Sequence, residues 1–203
     1  MKVLVVGGGG REHALVWKIA QSSSVKEIYC APGNGGISRV AGCVPIKAMD
    51  IKGIVDFSKE NNVRLVVVSP DDPLGAGMVD ALQDAGIRAF GPVKDAAAIE
   101  SSKAFAKNLM KKYGIPTARH EVFDNPIDAL NYIRNQKYPL VIKADGLAAG
   151  KGVIIAHTYD MAVDAIHEIM EKKIFGDSGN RIIIEEYLEG KEVTVLAFTD
   201  GKT

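Results

Sequence analysis

Short β-branched runs, each leading into a glycine- or proline-bearing loop and then a helical pattern, repeat from the first residue of the chain. Residues 2–6 read as a buried strand, 11–21 as a helix, 25–31 as a strand and 50–61 as a helix. Residues 63–69 follow as a strand, 75–85 as a helix and 87–90 as a strand. Consecutive strands separated by helix-length crossovers cannot pair as hairpins, so this order predicts an α/β fold with an open parallel sheet and helices on both faces. In such sheets ligands bind beyond the carboxyl ends of the strands, so function is sought at the strand-to-loop junctions.

The rhythm changes near Pro92. Two helical segments follow, 94–101 and 103–113, and then the breaker Gly114-Ile115-Pro116. Beyond it come a strand at 119–123, a helix opened by Asn125-Pro126, and strands at 139–144 and 152–157. Residues 160–173 place Met161, Ala162, Ala165, Ile166, Ile169 and Met170 on one stripe, the mark of an amphipathic helix with a core face. Strands are expected at 181–187 and 192–199, the latter running into the turn signal Asp200-Gly201. Only two residues follow that turn, so the returning strand is absent and a piece of a longer protein is expected. The length of 203 residues, about 1.4 domains at roughly 150 residues each, agrees. The expected division is a Rossmann-like domain over 1–100 and a partial second domain over 101–203.

Charge and composition remove several function classes. Lys plus Arg and Asp plus Glu are 25 each, with 11 of each sign in residues 1–100, so no basic face is signalled for nucleic acid or a membrane surface. The longest plainly apolar runs, 3–6 and 65–68, are far too short to span a bilayer. The opening MKVLVVGGGG turns to glycine where a secretory segment would stay apolar, so a cytoplasmic protein starting at its authentic N-terminus is expected. Cys30 and Cys43 fit neither a disulfide framework nor a zinc spacing and read as inert core thiols. The four histidines lack i, i+4 pairing, and no metal ligands are assigned.

Ten of the 21 glycines fall in three short loops, at 7–10, 33–36 and 146–152. Glycine lets backbone approach a ligand, and a glycine loop opening a helix offers free amides and the positive end of the helix dipole, so an anion is the natural guest. The first loop, GGGGREH, lies where a dinucleotide fingerprint would, but the third glycine position is Glu12 or His13, and no acid ends the second strand. Arg11 opposes the dipole of its own helix, which points to a bound anion or a nearby carboxylate. Glu12 reads equally as an ordinary first-turn acid, and His13 as a packing or loop-bonding residue. PGNGG at 32–36 and SPDDPL at 69–74 are ordinary turn chemistry taken singly. Lying on the same sheet edge as Gly9 and Gly10, they would line one cleft, with Asn34, Asp71 and Asp72 able to bond hydroxyls or an amine.

The segment KADGLAAGKG, residues 143–152, has Asp145 and Gly152 where a Walker loop would carry glycine and Ser/Thr, and a strand follows it instead of a helix. A glycine hairpin is one reading. A flap that clamps a nucleotide triphosphate, with Lys143 and Lys151 flanking Gly146 and Gly150, is the other and is favoured by the paired lysines. Glu185, Glu186 and Leu188 end an isoleucine-rich strand and Glu192 follows. They form a solvated rim or, beside a phosphate flap, a hinge for adenine with Glu192 on the ribose.

GGGGREHAL, APGN, AFGP, ESSKAFAKNLMKKYGIPTA, KADGLAAGKGVIIA and FGDSGNRIIIEEYLEG together resemble the glycinamide ribonucleotide synthetase (phosphoribosylamine glycine ligase) family of ATP-grasp enzymes across the whole chain. The resemblance implies a pre-ATP-grasp substrate domain, then a partial ATP-grasp domain with a lid at about 120–190 and the start of its platform. It implies that Lys103 and Lys143 meet ATP phosphates, that 145–152 forms the flap, that Glu185, Glu186 and Leu188 hold adenine, and that Glu192 holds ribose. Gly9, Gly10, Arg11, Glu12, Asn34 and Asp71 are the implied substrate contacts. The implied reaction joins glycine to phosphoribosylamine through a glycyl phosphate at the expense of ATP, with Mg2+ or Mn2+ held by residues beyond 203 in a chain about twice as long. No side chain is assigned as catalytic, in keeping with chemistry that runs on positioning and charge neutralisation. SPDDPL departs from the family's usual GPEAPL, putting the shorter Asp71 in place of Glu. Another ATP-grasp carboxylate–amine ligase or carboxylase, and a non-catalytic nucleotide-binding fragment, are the competing readings.

Overall fold

The computed structural model describes residues 1–148 and 151–197, so Gly150 and the turn at 200–201 lie outside the described residues. Five parallel strands form the first sheet: β1 (Lys2–Gly7), β2 (Glu27–Pro32), β3 (Gly42–Cys43), β4 (Leu65–Val68) and β5 (Ala89–Phe90), in the order β3-β2-β1-β4-β5. Both faces are covered, as the sequence predicts. Alternate residues of the central strands point to opposite sides. Leu4, Val6, Val66 and Val68 pack against Ile54 of α2 (Ile51–Glu60) and Met78 and Leu82 of α4 (Met78–Asp84). Val3, Val5 and Val67 pack against Val16 of α1 (Gly10–Ile19) and Ile37. Each fully buried Val, Leu or Ile of this kind contributes about 1.5–3 kcal/mol through burial.

The expected helix over 75–85 is instead α4 preceded by a short α3 (Asp71–Gly75). Gly77, at φ +88°, breaks the path between them, and Asp71 and Asp72 occupy the first turn of α3, where acids favour the dipole. Cys30 is buried in β2, and burial pushes its thiol up to about 12. Cys43 corrects the expectation of two core thiols: β3 is a two-residue edge strand whose residues are both exposed.

Two helices join the sheets, α5 (Lys94–Ser101) and α6 (Lys103–Tyr113). Ser102 caps α6 by accepting from Phe105 N, Lys111 and Lys112 complement its negative end, and Gly114 ends it at φ +66°. The second sheet is antiparallel, with β6 (His120–Phe123), β7 (Leu140–Ala144), β8 (Val153–Ala156) and β9 (Ile182–Glu186) in the order β6-β9-β7-β8. Its core joins Ile142, Ile182 and Ile184 to Ile133 of α7 (Pro126–Ile133) and Ile166 of α8 (Tyr159–Ile166).

The helix expected over 160–173 ends as α8 and passes into a π-helical turn at His167–Glu171, so its stripe is imperfect. Met170 is buried, whereas Met161, in the first turn of α8, is exposed. The strand expected over 192–199 is not formed at 192–197, and its last residues lie outside the described ones. Val193 and Val195 alternate with Glu192 and Thr194, yet they and Leu196 are 78–91% exposed. No neighbouring strand among the described residues supplies the ladder that such a pattern needs.

Candidate functional site

Two clefts meet at Glu185. The first, about 1200 Å³, lies between the carboxyl edge of the parallel sheet and the antiparallel sheet, and is lined from one side by Gly9, Gly10, Arg11, Glu12, Asp71 and Asp72. From the other side come Lys103, Lys107, Lys143, Gly146 and Glu185. The second, about 1150 Å³, continues past Met110 and Glu185 along Glu186, Tyr187 and Leu188. The geometry follows from topology. Loops after parallel strands share one edge, and the β7–β8 hairpin with the end of β9 faces that edge.

The sheet-edge loops are locked to one another. Asn34 Nδ2 donates to Gly8 O at 2.8 Å, while its Oδ1 accepts from Gly36 N at 2.8 Å and Ile37 N at 2.9 Å. A Cβ on Gly8 would stand 2.6 Å from Gly33 O, so the two loops touch through bare backbone. Asn34 thus braces the loops from outside the cleft lining. Glu12, almost fully buried, accepts from Gly9 N and Ser69 Oγ, both at 2.6 Å, and fastens the start of α1 to the loop after β4. The His13 ring packs against Gly36. Arg11 reaches the cleft with no ion pair among the described residues.

On the opposite wall, Lys103 Nζ donates to Gly146 O at 2.7 Å. Burial pushes its ammonium below the ordinary lysine value, with Asp145 opposing the shift and Lys143 adding to it. Lys143 Nζ lies 2.9 Å and Lys107 Nζ 3.1 Å from the same oxygen, Glu185 Oε2. Gly146 needs its glycine: φ is +115°, and a Cβ would stand 2.8 Å from Ser178 Oγ.

Asp145, read from sequence as part of the flap, faces away from the cleft lining. Its carboxylate accepts from Ser102 Oγ and Ala104 N, each at 3.1 Å, and pairs with Arg181 at 3.4 Å. Lys151 is exposed, and Gly152 is buried against Ala148 and Ala144. Glu186 and Leu188 line the second cleft only. The Arg119 backbone N–H and guanidinium both bond Glu186, at 2.8 Å, and hold its carboxyl below the usual range. Glu192 is exposed and lines neither cleft. Lys107 and Glu100 are charged cleft residues that the sequence did not single out, and Lys107 is the one paired with Glu185. Its signal was its spacing, one helical turn after Lys103 on the same face of α6.

Comparison with known proteins matches the family model for the phosphoribosylglycinamide synthetase N domain to residues 1–100. The model for the ATP-grasp (A) domain of the same synthetase matches residues 101–203. A phosphoribosylamine–glycine ligase of Clostridium acetobutylicum is 48% identical over 202 residues, which cover all of this chain and 49% of the relative. That of Halalkalibacterium halodurans is 51% identical over 203 residues, covering 47% of its length. The crystal structure of the Thermotoga maritima phosphoribosylamine–glycine ligase superposes with a TM-score of 0.77 at 31% identity, over 94% of this chain and 45% of the other. The chain therefore spans about half the length of the curated relatives it matches.

Proposed function

The chain belongs to the phosphoribosylglycinamide synthetase family, and on that premise we propose that its full-length form ligates glycine to 5-phosphoribosylamine with ATP. A glycine carboxylate oxygen attacks the γ-phosphorus and ADP leaves. The amine then attacks the acyl carbon of glycyl phosphate, losing a proton, and inorganic phosphate departs to give glycinamide ribonucleotide. The observation that carries this reading is the shared cleft, in which Lys103, Lys143 and Gly146 face Gly9, Gly10, Arg11 and Asp71. The two lysines suit a polyphosphate, and the amides at the start of α1 with Arg11 suit the phosphate of the sugar substrate. The carboxylate of Asp71 suits an ammonium or hydroxyls. Glu185 borders both clefts, where a carboxylate would accept from the amino group of adenine. The segment over about 120–190 serves as the lid, with Gly146, Leu147 and Ala148 over the phosphates. Among the described residues no group of three or more His, Cys, Asp or Glu side chains is gathered, and the ligands for Mg2+ or Mn2+ are proposed to lie beyond residue 203. No described helix is long and apolar enough to cross a membrane.

The test replaces the matched half of the Clostridium relative with residues 1–203. The chimera is expected to form ADP only when glycine and phosphoribosylamine are both present, and Lys143→Ala is expected to abolish this. The chain alone is expected to bind nucleotide weakly and turn nothing over, since its relatives are about twice as long. A folded chimera that gives no glycine-dependent ADP would overturn the reading. So would turnover by the isolated chain, for the part that requires the remainder of the enzyme.

A further inference from the structure

Glu185 is 4% exposed and carries two ammonium groups on one oxygen, while its other oxygen, Oε1, has no hydrogen-bond partner among the described residues. The two cations are held differently. Lys143 is 25% exposed and stands on the wall with Lys103 and Gly146, where a polyphosphate would draw it away from Glu185. Lys107 is 13% exposed and is also tied to Thr117 Oγ1 at 2.7 Å, just past the Gly114-Ile115-Pro116 breaker. If Lys143 turned to a phosphate and no other cation remained, a buried carboxylate would be left uncompensated, a costly state. Lys107 prevents that. It occupies Oε2 and leaves Oε1, a buried atom, as the acceptor without a partner among the described residues.

We propose that Lys107, oriented by Thr117, is a positioning residue that keeps Glu185 paired and turned with Oε1 free once Lys143 serves the phosphates, and so sets the preference for a nucleotide whose base carries an exocyclic amine. The inference rests on the nucleotide reading above. A 6-amino purine offers N–H to Oε1, whereas a 6-oxo purine presents a carbonyl oxygen to a carboxylate. Loss of a hydrogen bond to a buried charged group corresponds to about a tenfold to hundredfold change in affinity.

The experiment is a ligand-observed NMR titration of the chain with ADP and with inosine diphosphate, suited to weak binding. The unsubstituted chain is expected to prefer ADP by at least about tenfold. Lys107→Met is expected to bring the two affinities within about twofold, mainly by weakening ADP, and Lys107→Arg to restore most of the difference. Thr117→Val keeps the charge and removes only the orienting hydroxyl, so it is expected to give an intermediate ratio and provides the test if Lys107→Met does not fold. A purely structural role would weaken both nucleotides alike. An unchanged ratio in Lys107→Met and Thr117→Val would therefore overturn the inference while leaving the nucleotide reading standing, whereas no binding of either nucleotide to the unsubstituted chain would overturn the inference for this chain and leave the full-length reading to the chimera.

Discussion

Lys103, Lys107 and Lys143 are three ammonium groups in one cleft held in three ways: the first on a carbonyl, the second on a carboxylate and a hydroxyl, the third on that same carboxylate alone. That difference has a consequence in pH. Burial lowers the proton affinity of Lys103, so its charge is lost at a lower pH than that of a lysine in water. A phosphate is held by the ammonium form. Binding to which Lys103 contributes is thus complete below its folded pKa and declines as pH rises through it, starting earlier than for a free lysine. ADP affinity measured from neutral to alkaline pH is expected to show this decline, and Lys103→Gln is expected to bind more weakly at neutral pH with the decline flattened. Equal slopes in the two proteins would remove Lys103 from the phosphate site.

Asp145 shows how an element, more than a residue, makes the site. Its bonds to Ser102 Oγ, Ala104 N and Arg181 pin the start of α6 to the end of β7, so Lys103 and Lys107 reach the cleft at a fixed height. Asp145→Ala leaves the α6 cap to Ser102 alone and is expected to cost about 1–3 kcal/mol of stability, read from urea unfolding, with weaker ADP binding as α6 loosens. A destabilised variant with unchanged ADP affinity would separate the brace from the site. The glycines and lysines of this loop stand out in the sequence because their enrichment is local. The role of Asp145 does not, since its partners on α6 are more than forty positions away and no spacing rule connects them. The same contrast runs through the fold. Strands β1, β2 and β4 were readable as short β-branched runs between turn residues, and α5 and α6 from their periodicity and breakers. The break at Gly77 was hidden because its left-handed backbone looks like any glycine in sequence. Residues 192–195 alternate as a strand should, but a strand exists only with a partner. Asn34 and Glu12 carry the chemistry of ligand-binding groups, yet their hydrogen bonds join loops across the sheet edge, which one-dimensional order does not show.

At the scale of the whole molecule, the buried apolar residues form clusters that do not cross between the sheets. One holds the antiparallel sheet to α7 and α8, and two flank the parallel sheet. The two sides meet across the cleft, which Gly9, Arg11 and Asp71 line from one and Lys143 and Gly146 from the other, and bonds from Lys103 to Gly146 O and from Ser102 to Asp145 fasten the start of α6 to the antiparallel half. We propose on this basis that the chain divides near residue 100 into two cooperative units, with a ligand gripped by loops from each. Cores that share no buried cluster have little means of transmitting a packing defect, so a cavity in one should lower the opening free energy of that unit alone. Ile142 is fully buried at the centre of the antiparallel core. Ile142→Ala is expected to cost about 2–5 kcal/mol there, seen as faster hydrogen exchange in β7 and β9, while amides of β1 and β4 keep their protection. Leu4→Ala should do the reverse. Matching loss of protection in both sheets from either substitution would show a single cooperative unit, and the cleft would then be a groove in one body instead of a space that two bodies close.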